Sequence, residues 1–218
     1  MTFSSINNVT LQHVSKKFGT HEVTQDLDLI FKKGEITTIF GPSGAGKSTL
    51  LNMIGLVDTP DTGEIKIFGE TTPKLHSREA RQWRREKIDY LFQNFGLIDD
   101  MTVQANLAIN QAYKKGTKAD KKVQQVRALT DVGLGKAYLT KKVYDLSGGE
   151  QQRVAIVKTI LKDPEIILAD EPTGSLDEQN KKNIVELLIN LKNQNKTLII
   201  VSHDKYFEQI SDQNIYLK

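Results

Sequence analysis

The chain has no cysteine and a single tryptophan among its 218 residues. Without cysteine, a disulfide-stapled secreted domain is excluded. A Cys-ligated zinc or iron–sulfur centre is excluded for the same reason. Long apolar runs are also missing. The longest, such as Ile166–Ala169 and Leu198–Val201, fall far short of the roughly 18 uncharged residues that a spanning helix needs. The start, Met1 to Thr10, has neither a basic front nor an apolar block, so no secretion signal is expected and a cytosolic location is the default. Charge of one sign is scarce: 30 Lys+Arg stand against 27 Asp+Glu, a net charge of +3. That is too weak to imply nucleic acid as a partner.

What remains is an ordinary folded composition, 38% hydrophobic and 26% charged. Short β-branched apolar segments recur: Val9–His13, Leu27–Phe31, Ile36–Phe40, Glu64–Phe68, Ile88–Phe92, Ile166–Ala169 and Thr197–Val201. Helical patterns lie between several of them, notably Ser48–Ile54, Gly148–Leu161 and Asp177–Leu191. Strands alternating with helices predict an α/β fold with a mostly parallel sheet covered on both faces. From about Phe95 to Tyr144 the pattern turns helical, which predicts a helical lobe inserted into the α/β body. The basic segment Arg78, Arg81, Arg84, Arg85, Lys87 is expected to spread around several faces of a solvated helix.

Gly41-Pro42-Ser43-Gly44-Ala45-Gly46-Lys47-Ser48, followed by Thr49, fits the phosphate-cradling pattern G-x-x-x-x-G-K-[ST]. Glycines let backbone N–H groups turn toward an anion, and the helix that follows aims its positive end at it. Lys47 can reach the β- and γ-phosphates of a nucleotide, and the Ser48 hydroxyl can ligate Mg²⁺. The strand Ile166–Ala169 ends in Asp170 and Glu171. Ligands of open α/β sheets bind beyond such strand ends. Asp170 is therefore placed to hold Mg²⁺, and Glu171 to polarise an attacking water.

Leu146-Ser147-Gly148-Gly149-Glu150 opens a helix, and Ser147 with Glu150 can form a capping box. A cap does not require two glycines, each of which destabilises a helix by about 1 kcal/mol. Serine, glycines and a helix start make a second anion site. Two γ-phosphate sensors, Lys47 and Ser147, point to two halves of a dimer.

With these motifs in this order the sequence resembles an ATP-binding-cassette (ABC) ATPase over nearly its whole length. The resemblance implies one ATP-binding domain over 1–218. Its RecA-like P-loop core (about 1–94 and 145–218) would carry an N-terminal antiparallel β subdomain, and 95–144 would be the helical subdomain. It implies a head-to-tail homodimer around two ATP, with Gly41–Thr49 of one copy facing Leu146–Glu150 of the other. It implies Gln93 beside Mg²⁺ with Ser48 and Asp170, and Ser175-Leu176-Asp177 as a loop crossing the interface. His203 would contact the γ-phosphate and Phe18 would stack on adenine. Glu171, His203 and Lys47 would be the catalytic residues.

Glu171-Pro-Thr-Gly-Ser-Leu-Asp177 resembles the branch that holds macrolide exporters, lipoprotein-release ATPases and the cell-division ATPase. Leu91–Asp99 resembles ATPases of bacteriocin export. The resemblance thus implies an ATPase driving a separate membrane permease, peripheral on the inner face of the membrane, for export of a peptide, antimicrobial or lipophilic substrate. The alternative within that branch is signalling through a membrane partner. The family's coupling helix would dock beside Phe95–Met101. Lys158 departs from the family's pattern, which more often has arginine there.

Overall fold

The computed structural model describes residues 7–217. Residues 1–6, most of the segment considered above for a secretion signal, lie outside them. The chain begins with a long hairpin, β1 (Asn7–Phe18) and β2 (His21–Lys32). Next come β3 (Ile36–Phe40), α1 (Lys47–Ile54), β4 (Thr62–Ile67), β5 (Glu70–Thr71), α2 (Arg78–Glu86) and β6 (Ile88–Leu91). A helical stretch follows, α3 (Val103–Asn110) and α4 (Lys118–Asp131), then two 3-10 turns, Lys136–Thr140 and Val143–Asp145. The remainder is α5 (Gly148–Lys162), β7 (Ile166–Asp170), α6 (Glu178–Asn193), β8 (Thr197–Val201), α7 (Tyr206–Ile210) and β9 (Gln213–Tyr216).

Two sheets result. One is antiparallel, ordered β2-β1-β4-β5, and the other has the order β6-β7-β8-β3-β9. Every pairing in the second sheet is parallel. Its strands are apolar throughout because both faces are covered. Ile167, Ala169, Leu198 and Ile200 pack toward α5 and α6. Their neighbours Ile166, Leu168, Ile199 and Val201 pack toward α1 and the antiparallel sheet. The period-2 alternation of β7 and β8 thereby divides the core in two. Among the described residues no helix is long and apolar enough to cross a membrane.

β1 runs well past the predicted Val9–His13. Its alternation breaks where His13 (φ 53°) and, on β2, Asp26 (φ 48°) take left-handed conformations and the register shifts. A buried charge also hides the strand. Lys16 is 8% exposed, and its Nζ donates to Asp58 Oδ1 at 2.9 Å and to the Thr59 carbonyl at 2.8 Å.

The basic helix differs from expectation. α2 is capped by Ser77, which accepts from the Ala80 N–H, and it buries Ala80 and Trp83. Arg84 turns inward to the carbonyls of Leu56 (2.6 Å) and Leu75 (3.3 Å). Lys87 lies over the rings of Phe68 and Trp83. The remaining arginines share one face.

Candidate active site

The parallel order brings four loops to one edge. The strands β6, β7, β8 and β3 are neighbours, and the chain leaves their carboxyl ends at Gln93, Glu171, His203 and Gly41 respectively. A cavity of about 660 Å³ opens there. Ser43, Gly44, Gly46, Lys47, Ser48 and Thr49 line one wall, Gln93, Asp170, Glu171 and His203 the other, and Phe18 the rim.

The phosphate loop is fixed by two contacts. Gly46 has φ 81°, and a Cβ there would meet the Val23 carbonyl at 2.6 Å, so only glycine fits against β2. Lys47 is 7% exposed, and its Nζ donates to the carbonyls of Gly41 and Pro42, both at 2.8 Å. These bonds hold the ammonium in the mouth of the loop. Gly41, Pro42 and Ala45 shape the loop without lining the cavity. α1 starts at Lys47 with no side-chain cap, so the N–H groups of its first turn have no side-chain acceptor from the N-cap residue.

Glu171 is held unusually firmly. Its backbone is left-handed (φ 47°), a conformation that costs a non-glycine residue about 1–3 kcal/mol. Its N–H donates to the Val201 carbonyl at 2.9 Å, which pins it to β8. Oε2 accepts from the His203 N–H (3.3 Å) and from the Ser202 hydroxyl (3.4 Å). Oε1 lies 3.3 Å from His203 Nε2. That oxygen is buried and makes no aligned hydrogen bond. Burial first, then the charge of Asp170, pushes the phenol of Tyr90 upward.

Phe18 stands at the tip of the β1–β2 hairpin, 54% exposed, with Lys16 Nζ 5.4 Å from its ring centroid. An exposed ring on a cavity rim is free to stack. His21 and Val23 also line the cavity and were not singled out from sequence. Their signal is positional: two turn residues after Phe18 the chain must return past the same loop.

Ser147, Gly148, Gly149 and Glu150 do not line this cavity, nor do Ser175, Leu176 and Asp177. Leu146 is buried. Ser147 and Glu150 form the predicted capping box: Ser147 Oγ accepts from the Glu150 N–H, and Glu150 Oε2 accepts from the Ser147 N–H at 2.7 Å. The Tyr138 hydroxyl donates to Glu150 at 2.5 Å and, as the leading cause, lowers the pKa of that carboxyl. Gly149 also answers a packing need: a Cβ there would sit 2.5 Å from the Asn180 side chain. Gly148 is exposed, and a Cβ on it would meet nothing nearer than 3.9 Å.

Sheet order, loop and acidic strand end together define a P-loop nucleoside triphosphatase. More narrowly, residues 24–174 match the family model described as ABC transporter, and the chain belongs to that family, among its ATP-hydrolysing cassettes. It is 36% identical over 210 residues to the lipoprotein-releasing system ATP-binding protein LolD of Bacteroides fragilis, covering 96% of this chain and 97% of LolD. It is 35% identical to the macrolide export ATP-binding/permease protein MacB of Marinobacter nauticus, spanning 33% of that longer protein. Among solved structures it resembles the dimeric structure of MJ0796, a bacterial ABC transporter cassette, at TM-score 0.88 and 36% identity, covering 96% of this chain and 94% of that one. MJ0796 is also known as a dimer in a post-hydrolysis state bound to ADP and phosphate, with the same scores.

Proposed function

We propose that this cassette binds ATP between two head-to-tail copies and uses its hydrolysis to drive a membrane permease carried on a separate chain. The observation that carries the reading is the split of the motifs. Lys47, Glu171 and His203 share one cavity, whereas Ser147 and Gly148 are exposed outside it. A helix start with a serine and two glycines is an anion site without an anion source in its own chain. A second copy supplies one. MJ0796, solved as a dimer, supports that arrangement.

Within each site Phe18 stacks on the adenine, and the loop Gly41–Thr49 wraps the phosphates with Lys47 on the β- and γ-groups. The donors beside Lys47 are the Ser48 hydroxyl, the Asp170 carboxylate and the Gln93 amide, an all-oxygen set that suits Mg²⁺. Mg²⁺ bound there would draw charge from the phosphate oxygens. Glu171 accepts a proton from the attacking water, and His203 holds the γ-phosphate. Ser147, Gly148, Gly149 and Glu150 complete the partner's site, and Ser175–Asp177 line the contact between copies.

The lobe 95–144 rocks against the core (1–94 and 145–218) as the dimer closes. A cleft of about 220 Å³ between them, with Phe92, Phe95 and Gly96 along one side, receives the permease. The full-length match to LolD supports a permease on another chain and a place at the membrane's inner face. It also favours extraction or export of a lipophilic or peptide substrate over the narrower bacteriocin reading. The test is Ser147→Arg. It is expected to leave ATP binding by the monomer intact and to abolish hydrolysis. Normal hydrolysis would reject the shared site.

A further inference from the structure

One face of α2 forms a site that ATP turnover does not use. Arg78, Arg81, Gln82 and Arg85 stand at i, i+3, i+4 and i+7 and line a cleft of about 440 Å³, closed on its far side by Tyr113. The volume falls within the range of about 300–1,000 Å³ typical of small-molecule sites. We propose that this cleft binds a phosphate oxyanion, presented by the headgroup of an anionic lipid.

The guanidinium groups are arranged before any ligand arrives. Arg81 Nη1 donates to the His76 carbonyl at 2.7 Å. Arg85 lies with its guanidinium carbon 4.5 Å from the centroid of the Tyr113 ring and also pairs with Glu86. Arg78 has neither a hydrogen bond nor an ion pair among the described residues. Glu86 is the acid in contact with this face, and Arg85 foremost, then Gln82, with Lys114 adding to it, lowers its pKa. Arg78, Arg81, Arg85 and Lys114 therefore outweigh Glu86. One guanidinium fork is filled by the two oxygens of a carboxylate, whereas a phosphate has further oxygens for a second and third, so three arginines around one cleft favour a phosphate.

Two neighbours favour a lipid as the carrier. Tyr113 is 74% exposed, and Ile109 in the last turn of α3 is 48% exposed. A basic cleft closed by an exposed aromatic side chain, with an exposed aliphatic one a turn earlier in the same chain segment, is what a membrane–water interface accommodates. The inner arginine, Arg84, lines the cleft assigned above to the permease, so the basic face lies beside it on the same helix. The proposal does not need that permease, and its assay contains none.

The experiment is co-sedimentation of the purified chain, without nucleotide, with vesicles of phosphatidylcholine alone or mixed with phosphatidylglycerol. A parallel titration uses inorganic phosphate. Retention on the mixed vesicles alone is expected. Arg78→Gln combined with Arg85→Gln should weaken it about thirtyfold, from about fivefold per basic residue. ATP hydrolysis by the free double variant should equal that of the parent, which separates this result from any failure of the nucleotide site. Binding of inorganic phosphate that the double variant loses, without vesicle retention, keeps the oxyanion site and overturns the lipid as its carrier. Equal retention of parent and variant, or binding of neither phosphate source, overturns the site itself. Capture of an aspartate-rich peptide but of neither phosphate source would overturn it as well.

Discussion

His203 Nε2 lies 3.3 Å from Glu171 Oε1, while the His203 N–H donates to the other oxygen of the same carboxylate. One residue at the end of β8 thus holds both oxygens of the residue at the end of β7. The imidazole is more than half exposed and the carboxylate nearly buried, so the histidine is the partner that faces the open cavity. His203→Ala is expected to lower kcat by about 10²-fold or more with little change in ATP affinity. Steady-state kinetics with a separate nucleotide-binding assay checks the split. A variant that loses affinity and keeps kcat would place His203 in binding alone.

Gly148 and Gly149, in the segment Leu146–Glu150, should respond oppositely to alanine. In a helix, alanine is favoured over glycine by about 1 kcal/mol. Gly148→Ala has room and is expected to hold or raise the melting temperature while impairing ATP-dependent dimerisation. Gly149→Ala meets Asn180 at 2.5 Å and is expected to destabilise by about 1–3 kcal/mol. Adding Asn180→Ala should recover most of that loss. Calorimetry on the two single variants and the double variant decides it.

Lys158 ties α5 to the loop that carries Gln93. Its Nζ donates to the Gly96 carbonyl at 2.5 Å, and its own carbonyl accepts from Asn110 at 3.1 Å. Burial lowers the lysine's pKa more than nearby Asp89 raises it. Lys158→Met should change hydrolysis more than stability, because losing a buried ammonium offsets the orphaned carbonyl. Lys158→Arg should restore hydrolysis. The folded-state pKa lies below the unfolded one, so the unfolded chain binds more protons and the folded lysine is disfavoured at neutral pH. Wild type should gain stability relative to Lys158→Met as pH rises toward the unfolded value. Urea melts at neutral and alkaline pH test that sign.

Asp204 braces the histidine loop against α6. It accepts from the Tyr206 N–H at 3.0 Å and the Thr173 hydroxyl at 3.3 Å, and pairs with Lys181 at 3.2 Å. Burial alone would raise its pKa, but these partners together bring it below the ordinary value of an aspartate. The carboxylate's contribution is therefore complete above about pH 4 and fades as pH falls through the lower folded value. Asp204→Ala should destabilise by about 1–3 kcal/mol near neutrality and by progressively less in acid. Urea melts of both proteins at falling pH should converge; a constant gap would show that packing rather than charge is lost.

Most of the residues that line the cavity's inner walls were legible because their signals are local. β3, β7 and β8 are short apolar runs with glycine or acid at their ends, and the loop Gly41–Ser48 is one contiguous pattern. Less could be read where tertiary contacts overrule composition. β9 hides because Gln213–Tyr216 is a half-exposed edge strand, although it pairs with β3 residue by residue. The length of β1 hides behind Lys16, a lysine buried by its pair with Asp58. The faces of α2 depend on Leu56, Leu75, Phe68 and Tyr113, none of which its own sequence announces. Gly149 needs α6 to explain it.

The composite ATP site is tested most directly by Glu171→Gln, followed by ATP hydrolysis and by light scattering with and without ATP. The carboxamide keeps the shape of the side chain and removes the proton acceptor. Turnover should fall to background while ATP binding persists, and the mass in ATP should double to that of a dimer. Full turnover would contradict Glu171 as the base, and an ATP-saturated monomer would contradict the shared site.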